Sequence, residues 1–385
     1  MTKLTRALLG LGLGAAIAAI LVAGHDGLTG GGRAAAQAQA QVSITVDGYF
    51  YDPANTPILE GGRVYLPIRD MSEVLQAHID WDNTDKQATV TLPGRQLVLT
   101  LGSTTALVDG SQATMSETPL LQGNRIYLPL RITSELFDIE VDWTQRSHTV
   151  SIAQSAHYAM DERGDAVYWV HRESGDLFVA REAGGSAVKI GTLELDIRRN
   201  MSLKVETYSD SLQLVTVSDA YGEPMLHLDY YTGLLVDDRL VKQSNVSYYN
   251  RFADNVNRYK DLPVMTDGRM LYLVNAEGDV ARSYDLEELA GWDENYYIAG
   301  IGEDYLLVRP SQTGLLTYIE PESGETTQLY TLLDEQEQEY ALHNDVPYRG
   351  DHLRFAGETG GELRFTYDSI FKSGEQELRF PLPVA

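Results

Sequence analysis

The chain has no cysteine among its 385 residues. That excludes disulfides, thiolate-held zinc, a thiol nucleophile and anchoring through a lipidated N-terminal cysteine. Basic residues are scarce as well: 30 Lys and Arg stand against 56 Asp and Glu, a formal charge of −26. A field of that sign repels phosphate backbones and anionic headgroups, which argues against nucleic acids and membrane surfaces as partners. The eight histidines are scattered and form no His-x-His pair. No P-loop, EF-hand loop, nucleophile elbow or His-Glu-x-x-His occurs, so neither a cofactor nor a metal site is expected. Hydrophobic residues make up 43% of the chain, enough to bury a core in each of two or three domains.

Only one long apolar run exists. Lys3 and Arg6 precede the uncharged stretch from Ala7 to Ala23, and a small-residue site follows at Ala38-Gln39-Ala40. This reads as an export signal, and residues 1–40 as signal peptide plus flexible spacer. Cleavage near Gly24, cleavage after Ala40, and retention of the run as a short membrane anchor all stay open. In the last case the segment is the protein's sole membrane contact. The expected location is extracellular or at the cell envelope.

From Val46 to about Ile152 the chain repeats itself at a constant shift of 62 residues. Val46-Asp47-Gly48 returns as Val108-Asp109-Gly110, Tyr65-Leu66-Pro67 as Tyr127-Leu128-Pro129, and Arg69 as Arg131. Ser72-Glu73 returns as Ser134-Glu135, and Asp80-Trp81 as Asp142-Trp143. Such self-similarity marks a duplicated supersecondary unit, here over residues 46–92 and 108–154. Val64, Leu66 and Ile68 alternate as in a half-buried strand. Pro67 cannot donate to a ladder and should sit at a strand edge or end. Met71, Val74 and Leu75 have helical spacing, and Arg69 and Glu73, four apart, are placed to pair on that helix. One unit is too small to fold alone, so the two should share a core, with Trp81 and Trp143 in equivalent places.

The doubled Tyr-Leu-Pro-x-Arg phrase, its Ser-Glu helix and the following Asp-Trp resemble the copper amine oxidase N-terminal, or stalk, domain over residues 41–154. The resemblance implies an antiparallel sheet around short helices, in exported proteins of Gram-positive bacteria, acting as a spacer or attachment module. It does not imply amine oxidation. That chemistry requires three copper-binding histidines and an Asn-Tyr-Asp/Glu motif, and the closest approach here, Asn295-Tyr296-Tyr297, lacks the acid.

Residues 155–385 read as short strands between turns. An Asp precedes an apolar run five times, at Asp165, Asp210, Asp267, Asp304 and Asp351. Each run reaches a glycine turn: Gly175, Gly222, Gly278, Gly314 and Gly360. Four repeats add a second glycine turn, at Gly184, Gly233, Gly324 and Gly374. The period fits a four-stranded blade, so this half is expected to be a five-bladed β-propeller or an open propeller-like array, with a two-sheet sandwich as the rival. In pattern it is similar to low-density-lipoprotein-receptor-like propellers, although no blade carries their Tyr-Trp-Thr-Asp signature.

The five Asp residues suit turns through bonds to nearby amides, and nothing singles out a catalytic pair among them. Arg163-Gly164-Asp165, an adhesion tripeptide in letters, falls at a turn and carries no weight. Aromatics among amides in Lys242–Pro263 make Tyr248, Tyr249, Phe252 and Tyr259 the candidate ligand-binding residues, suited to stacking on a sugar or peptide. The leading functional expectation is a non-enzymatic surface binding or scaffolding protein, with a polysaccharide or a wall or surface protein as partner. The alternative is a carbohydrate-active hydrolase or lyase using carboxylates on the propeller face.

Overall fold

The computed structural model describes residues 42–383 except 132–139, 154–156, 182–183, 223–225, 250–252 and 346–348. The export signal, Ser134, Glu135 and Phe252 therefore lie outside the described residues. Among those described, no helix is long and apolar enough to cross a membrane.

The duplication has a direct structural meaning. Strand Arg63–Pro67 of the first copy pairs antiparallel with Arg125–Pro129 of the second, with Leu66 opposite Leu128 and each proline opposite the other copy's tyrosine. The repeated phrase thus pairs with itself about a local two-fold, as an isologous interface does. Both prolines end their strands, where no ladder hydrogen bond is lost. Backbone conformation repeats too: Asp47 and Asp109 have φ of 50° and 49°, and Lys86 and His148 of 55° and 50°. Helix Ile68–Leu75 follows the first phrase and buries Met71, Val74 and Leu75.

These residues form a single core with Ile44, Leu97, Leu99, Leu128, Leu130, Val150 and Ile152 from both copies. One pairing departs from the expected antiparallel sheet: Ser43–Val46 runs parallel to Thr149–Ala153, so the first and last strands of residues 43–153 close onto each other. Arg69 is exposed and forms no ion pair with Glu73, whose carboxylate instead accepts from the Tyr51 hydroxyl at 3.2 Å. The expected Arg69–Glu73 pair is thus replaced by a contact from a neighbouring strand. Trp81 and Trp143 occupy equivalent strand positions but are only half-buried. Urea melts of Trp81→Ala should therefore show a loss below the ~3–5 kcal/mol of a fully buried aromatic.

Among the described residues, the rest of the chain forms five consecutive antiparallel meanders. Four have four strands and the last has three: Tyr158–Thr192, Asn200–Tyr249, Arg258–Asp285, Tyr296–Gln328 and Arg354–Pro381. Each packs face to face on the next. Tyr168 and Val170 meet Val215 and Tyr231, Leu234 meets Met265 and Val274, Leu271 meets Ile298 and Val308, and Leu307 and Tyr318 meet Leu363 and Phe365. Among the described residues no hydrophobic cluster joins the fifth meander to the first. The outer face of the first instead buries Val167, Trp169 and Ala180 with Leu92 of the N-terminal repeats. The outer face of the fifth is charged, with Arg354 bonded to Asp368 and Glu375, and Arg379 to Glu377. A polar outer face is how a linear stack ends. The five expected units are present, and their sheets do not close.

The sequence phase of the repeat needs correction. The apolar runs after Asp165, Asp210 and Asp304 are second strands, but that after Asp267 is a third strand and that after Asp351 a first. Apolar runs mark burial, and in a stacked array any strand can be the most buried. Gly233, read as a turn, lies inside strand His227–Val236, where a Cβ would stand 2.8 Å from Leu240 Cδ1 and 2.9 Å from Leu193 Cδ2. The turn falls at Asp237-Asp238, with φ of 47° and 57°.

The N-terminal repeats are docked against the first meander. Trp169, fully buried, donates from Nε1 to the Gln76 carbonyl at 3.0 Å, and Gln76 Oε1 accepts from the Met160 amide at 3.2 Å. Gln76 presents its carbonyl because it ends helix Ile68–Leu75 in the left-handed region, with φ of 50°. His78 lies between Asp80 at 3.2 Å and Glu162 at 2.9 Å, across the same junction.

Candidate functional site

Alternate residues of a strand share a face. On the second meander, the face carrying Val215, Val217, Tyr231 and Leu235 packs on the first meander. Along that same face the next rows turn polar and aromatic. Asp219, Asp229 and Ser247 are cross-strand neighbours, and Tyr221, His227 and Tyr249 form the row beyond them. The Tyr221 and His227 rings stack with centroids 5.0 Å apart, and His227 and Tyr249 lie 4.8 Å apart. The Arg198 guanidinium covers Tyr221 at 5.0 Å from its centroid, which completes a cation-aromatic column across three strands.

Neighbouring Arg199 donates to the Tyr49 hydroxyl at 2.8 Å. Tyr49 stands on the first N-terminal hairpin with 65% of its surface exposed, so this bond ties that hairpin to the connection carrying Arg198.

The two carboxylates of the polar row differ sharply. Asp219 is fully buried and accepts the backbone amides of Arg198 at 2.5 Å, Arg199 at 3.2 Å and Asn200 at 2.6 Å. Its charge is thereby satisfied, and the connection holding Arg198 and Arg199 is fastened. Asp229 is only 5% exposed, and its Oδ1 has no partner. Burial and then the nearby Asp229 raise the Tyr221 phenol above its ordinary range. Asp229 lines a recess of about 570 Å³ between the first and second meanders, shared with Glu194, Asp196, Tyr231, Asn245 and Ser247. Rings beside an unpaired acceptor can bind a ligand that has both apolar faces and polar edges.

A second cavity, of about 280 Å³, lies between the second and third meanders. Several of its polar groups are engaged with one another or with the backbone. Glu206 takes Lys204 at 3.1 Å and the Asn257 amide, and Asn255 accepts from the Ile298 amide at 2.8 Å while donating to the Tyr248 hydroxyl at 3.0 Å. Tyr230 faces it with a phenol pushed up to about 12, first by burial and then by Asp254. These groups fasten one meander to the next.

The structure does not bring the candidate aromatics onto one surface. Tyr248 is 1% exposed, stacks on Tyr297 at 3.7 Å and donates to the Tyr296 carbonyl at 2.8 Å, so it is core. Tyr259 is half-buried against the core of the third and fourth meanders. Tyr249 alone joins the aromatic column, and Phe252 lies outside the described residues. Alternation explains the split between Tyr248 and Tyr249, since neighbours on a strand face opposite ways. Of the motif residues, Tyr65, Pro67, Tyr127 and Pro129 are buried, Arg131 is exposed, and Glu135 is outside the described residues.

Nor are the five leading Asp residues equivalent. Asp165, Asp210 and Asp304 are exposed at turns, Asp267 accepts from the amides of Arg269 and Met270, and Asp351 is buried. The adhesion-like Arg163 is engaged internally, pairing with Asp161 at 2.7 Å and donating to the Val205 carbonyl. Sequence reasoning missed Arg198, Tyr221, His227 and Asp229. Only strand register sets Tyr221 opposite His227, and nothing local in the sequence specifies it.

Residues 45–152 match the family model described as the copper amine oxidase N-terminal domain, a non-catalytic part of those enzymes. No curated protein matches this chain. Among solved structures, the Hsv2 proteins of Kluyveromyces lactis and K. marxianus align over 79% and 80% of this chain and 98% of their own, at 10% and 9% identity. Their TM-scores, 0.17 and 0.18, are too low to carry a fold assignment. The family match supports the stalk-domain resemblance. The likeness to low-density-lipoprotein-receptor-like propellers gains no such support.

Proposed function

We propose that this protein is exported and acts at the cell envelope or outside the cell as a non-catalytic binding or scaffolding protein. In this reading its N-terminal domain supports an open, propeller-like array of five meanders. The observation that carries it is the column Arg198–Tyr221–His227–Tyr249, next to Arg199 and the exposed Tyr49 it bonds at the junction of the two halves. Partly exposed rings beside hydrogen-bonding edges suit a polysaccharide or a wall-surface partner better than water alone. The rigid docking of the N-terminal repeats through Trp169 and Gln76 supports presentation of the array at a set angle. A second reading, a hydrolase or lyase, draws on the three carboxylates around the recess, Glu194, Asp196 and Asp229.

One assay separates the two. The protein is incubated with a panel of wall and plant polysaccharides, and both retention and released sugar are scored. Retention without release, weakened in Tyr221→Ala and Tyr249→Ala variants that stay folded, is the expected result. Sugar release abolished by a single Asp or Glu substitution would replace binding with catalysis. Fractionation of the producing cell tests location, and full-length protein in the cytosol would contradict export.

A further inference from the structure

The recess between the first and second meanders is lined by a carboxylate with one unpaired oxygen. Asp229 lines it, is 5% exposed, and leaves Oδ1 without a partner. Its cross-strand neighbour is another carboxylate, Asp219, and like charges set opposite each other destabilise a sheet. Asp219 is satisfied by three backbone amides, whereas Asp229 has only the Tyr221 phenol and no donor to Oδ1. A buried acceptor left unpaired costs free energy that a ligand donor would recover.

The surroundings narrow the donor. Among the described residues, no group of three or more His, Cys, Asp or Glu is placed to hold a metal ion, so the partner sought is an N–H or O–H group. Glu194 and Asp196 also line the recess and are exposed, and among the described residues no Lys or Arg shares its lining. The nearby cation Arg198 meets Asp196 at 3.4 Å and lies over Tyr221. The net field therefore favours a positively charged donor. The lining also includes the amide of Asn245 and the hydroxyl of Ser247, next to the aromatic row of Tyr221, His227 and Tyr249. The partly exposed rings of that row, flanked by amide and hydroxyl groups, suit a sugar ring and its hydroxyls. A volume of about 570 Å³ accommodates a small oligosaccharide segment.

We propose that this recess binds a glycan carrying free amino groups, with one sugar ammonium donating to Asp229 Oδ1 and Glu194 and Asp196 drawing the cation in. This rests on the binding function proposed above and names its ligand class.

Calorimetric titration of the whole protein with a glucosamine oligomer, its N-acetylated counterpart and a lysine oligomer tests it. The free-amine glycan should bind about tenfold or more tightly than the acetylated one, since a charge-assisted hydrogen bond contributes that much. Asp229→Asn, which keeps shape and removes charge, should abolish that preference. Should that variant fail to fold, the exposed pair Glu194→Gln and Asp196→Asn should weaken binding and flatten its salt dependence. Equal affinity for the two glycans, an unaffected folded Asp229→Asn, or unchanged affinity and salt dependence in the exposed pair would each overturn the proposal. Equal or tighter binding of the lysine oligomer would overturn the glycan assignment. Retention of neutral polysaccharides without amine preference would sink this inference and leave the binding function standing.

Discussion

Asp351→Ala is expected to destabilise the fourth and fifth meanders by about 3–5 kcal/mol, seen as a large fall in urea midpoint. Asp351 has a fully buried side chain and pairs with Arg309 Nη1 at 2.7 Å, itself only 8% exposed. Its second oxygen accepts the Leu316 amide at 2.6 Å, and Arg309 also donates to the Gly314 and Leu353 carbonyls. The two side chains therefore staple the strand Leu306–Pro310 to the segment entering Arg354–Thr359. Removing the carboxylate leaves a guanidinium charge buried with carbonyls alone, the costly half of such a pair. Replacing both members with well-packed apolar residues should cost far less, because the desolvation penalty disappears along with the attraction. A single Asp351→Ala melt indistinguishable from the parent would show that the pair is solvated in solution.

Trp169→Ala should cost about 3–5 kcal/mol, the loss for a fully buried aromatic side chain. It should also uncouple the two halves, because Trp169 closes the outer face of the first meander against Leu92 and holds the Gln76 carbonyl. Two probes separate these effects. Proteolysis between residues 153 and 157 should become faster, and the N-terminal repeats should then melt apart from the meanders. Trp169→Phe, which keeps most of the buried area and loses only the Nε1–H donor, should retain one coincident transition. Coincident melting in Trp169→Ala would mean that the junction rests on the polar contacts of His78 and Gln76 instead.

Much of the N-terminal architecture was legible because duplication writes structure in local terms. Tyr65-Leu66-Pro67 and its copy announce two equivalent strands, and Pro67 and Pro129 announce where they end. What the copy could not reveal was that the phrase pairs with itself, Leu66 against Leu128, or that Ser43–Val46 returns parallel to Thr149–Ala153. Both are contacts between residues far apart in sequence. The candidate site was less legible still. Tyr249 was chosen for its type and neighbours and does lie in the aromatic column, but Tyr248 shared those credentials and is core. One residue of register separates a half-exposed ring from a buried one.

The sequence alone determined the absence of thiol chemistry, the acidic field, the duplicated N-terminal unit and a count of five strand-rich repeats. Each of these is composition, or a period carried by nearby residues. Tertiary structure alone decided that the five meanders form an open stack. Its first outer face is covered by the N-terminal repeats through Trp169, and its last is closed by the charges of Arg354 and Arg379. It alone brought Arg198, Tyr221, His227 and Tyr249 into one column and left Asp229 Oδ1 without a partner beside it. The physical reason is the same throughout: periodicity says that a strand has a buried face, but only the packed chain says what lies against it.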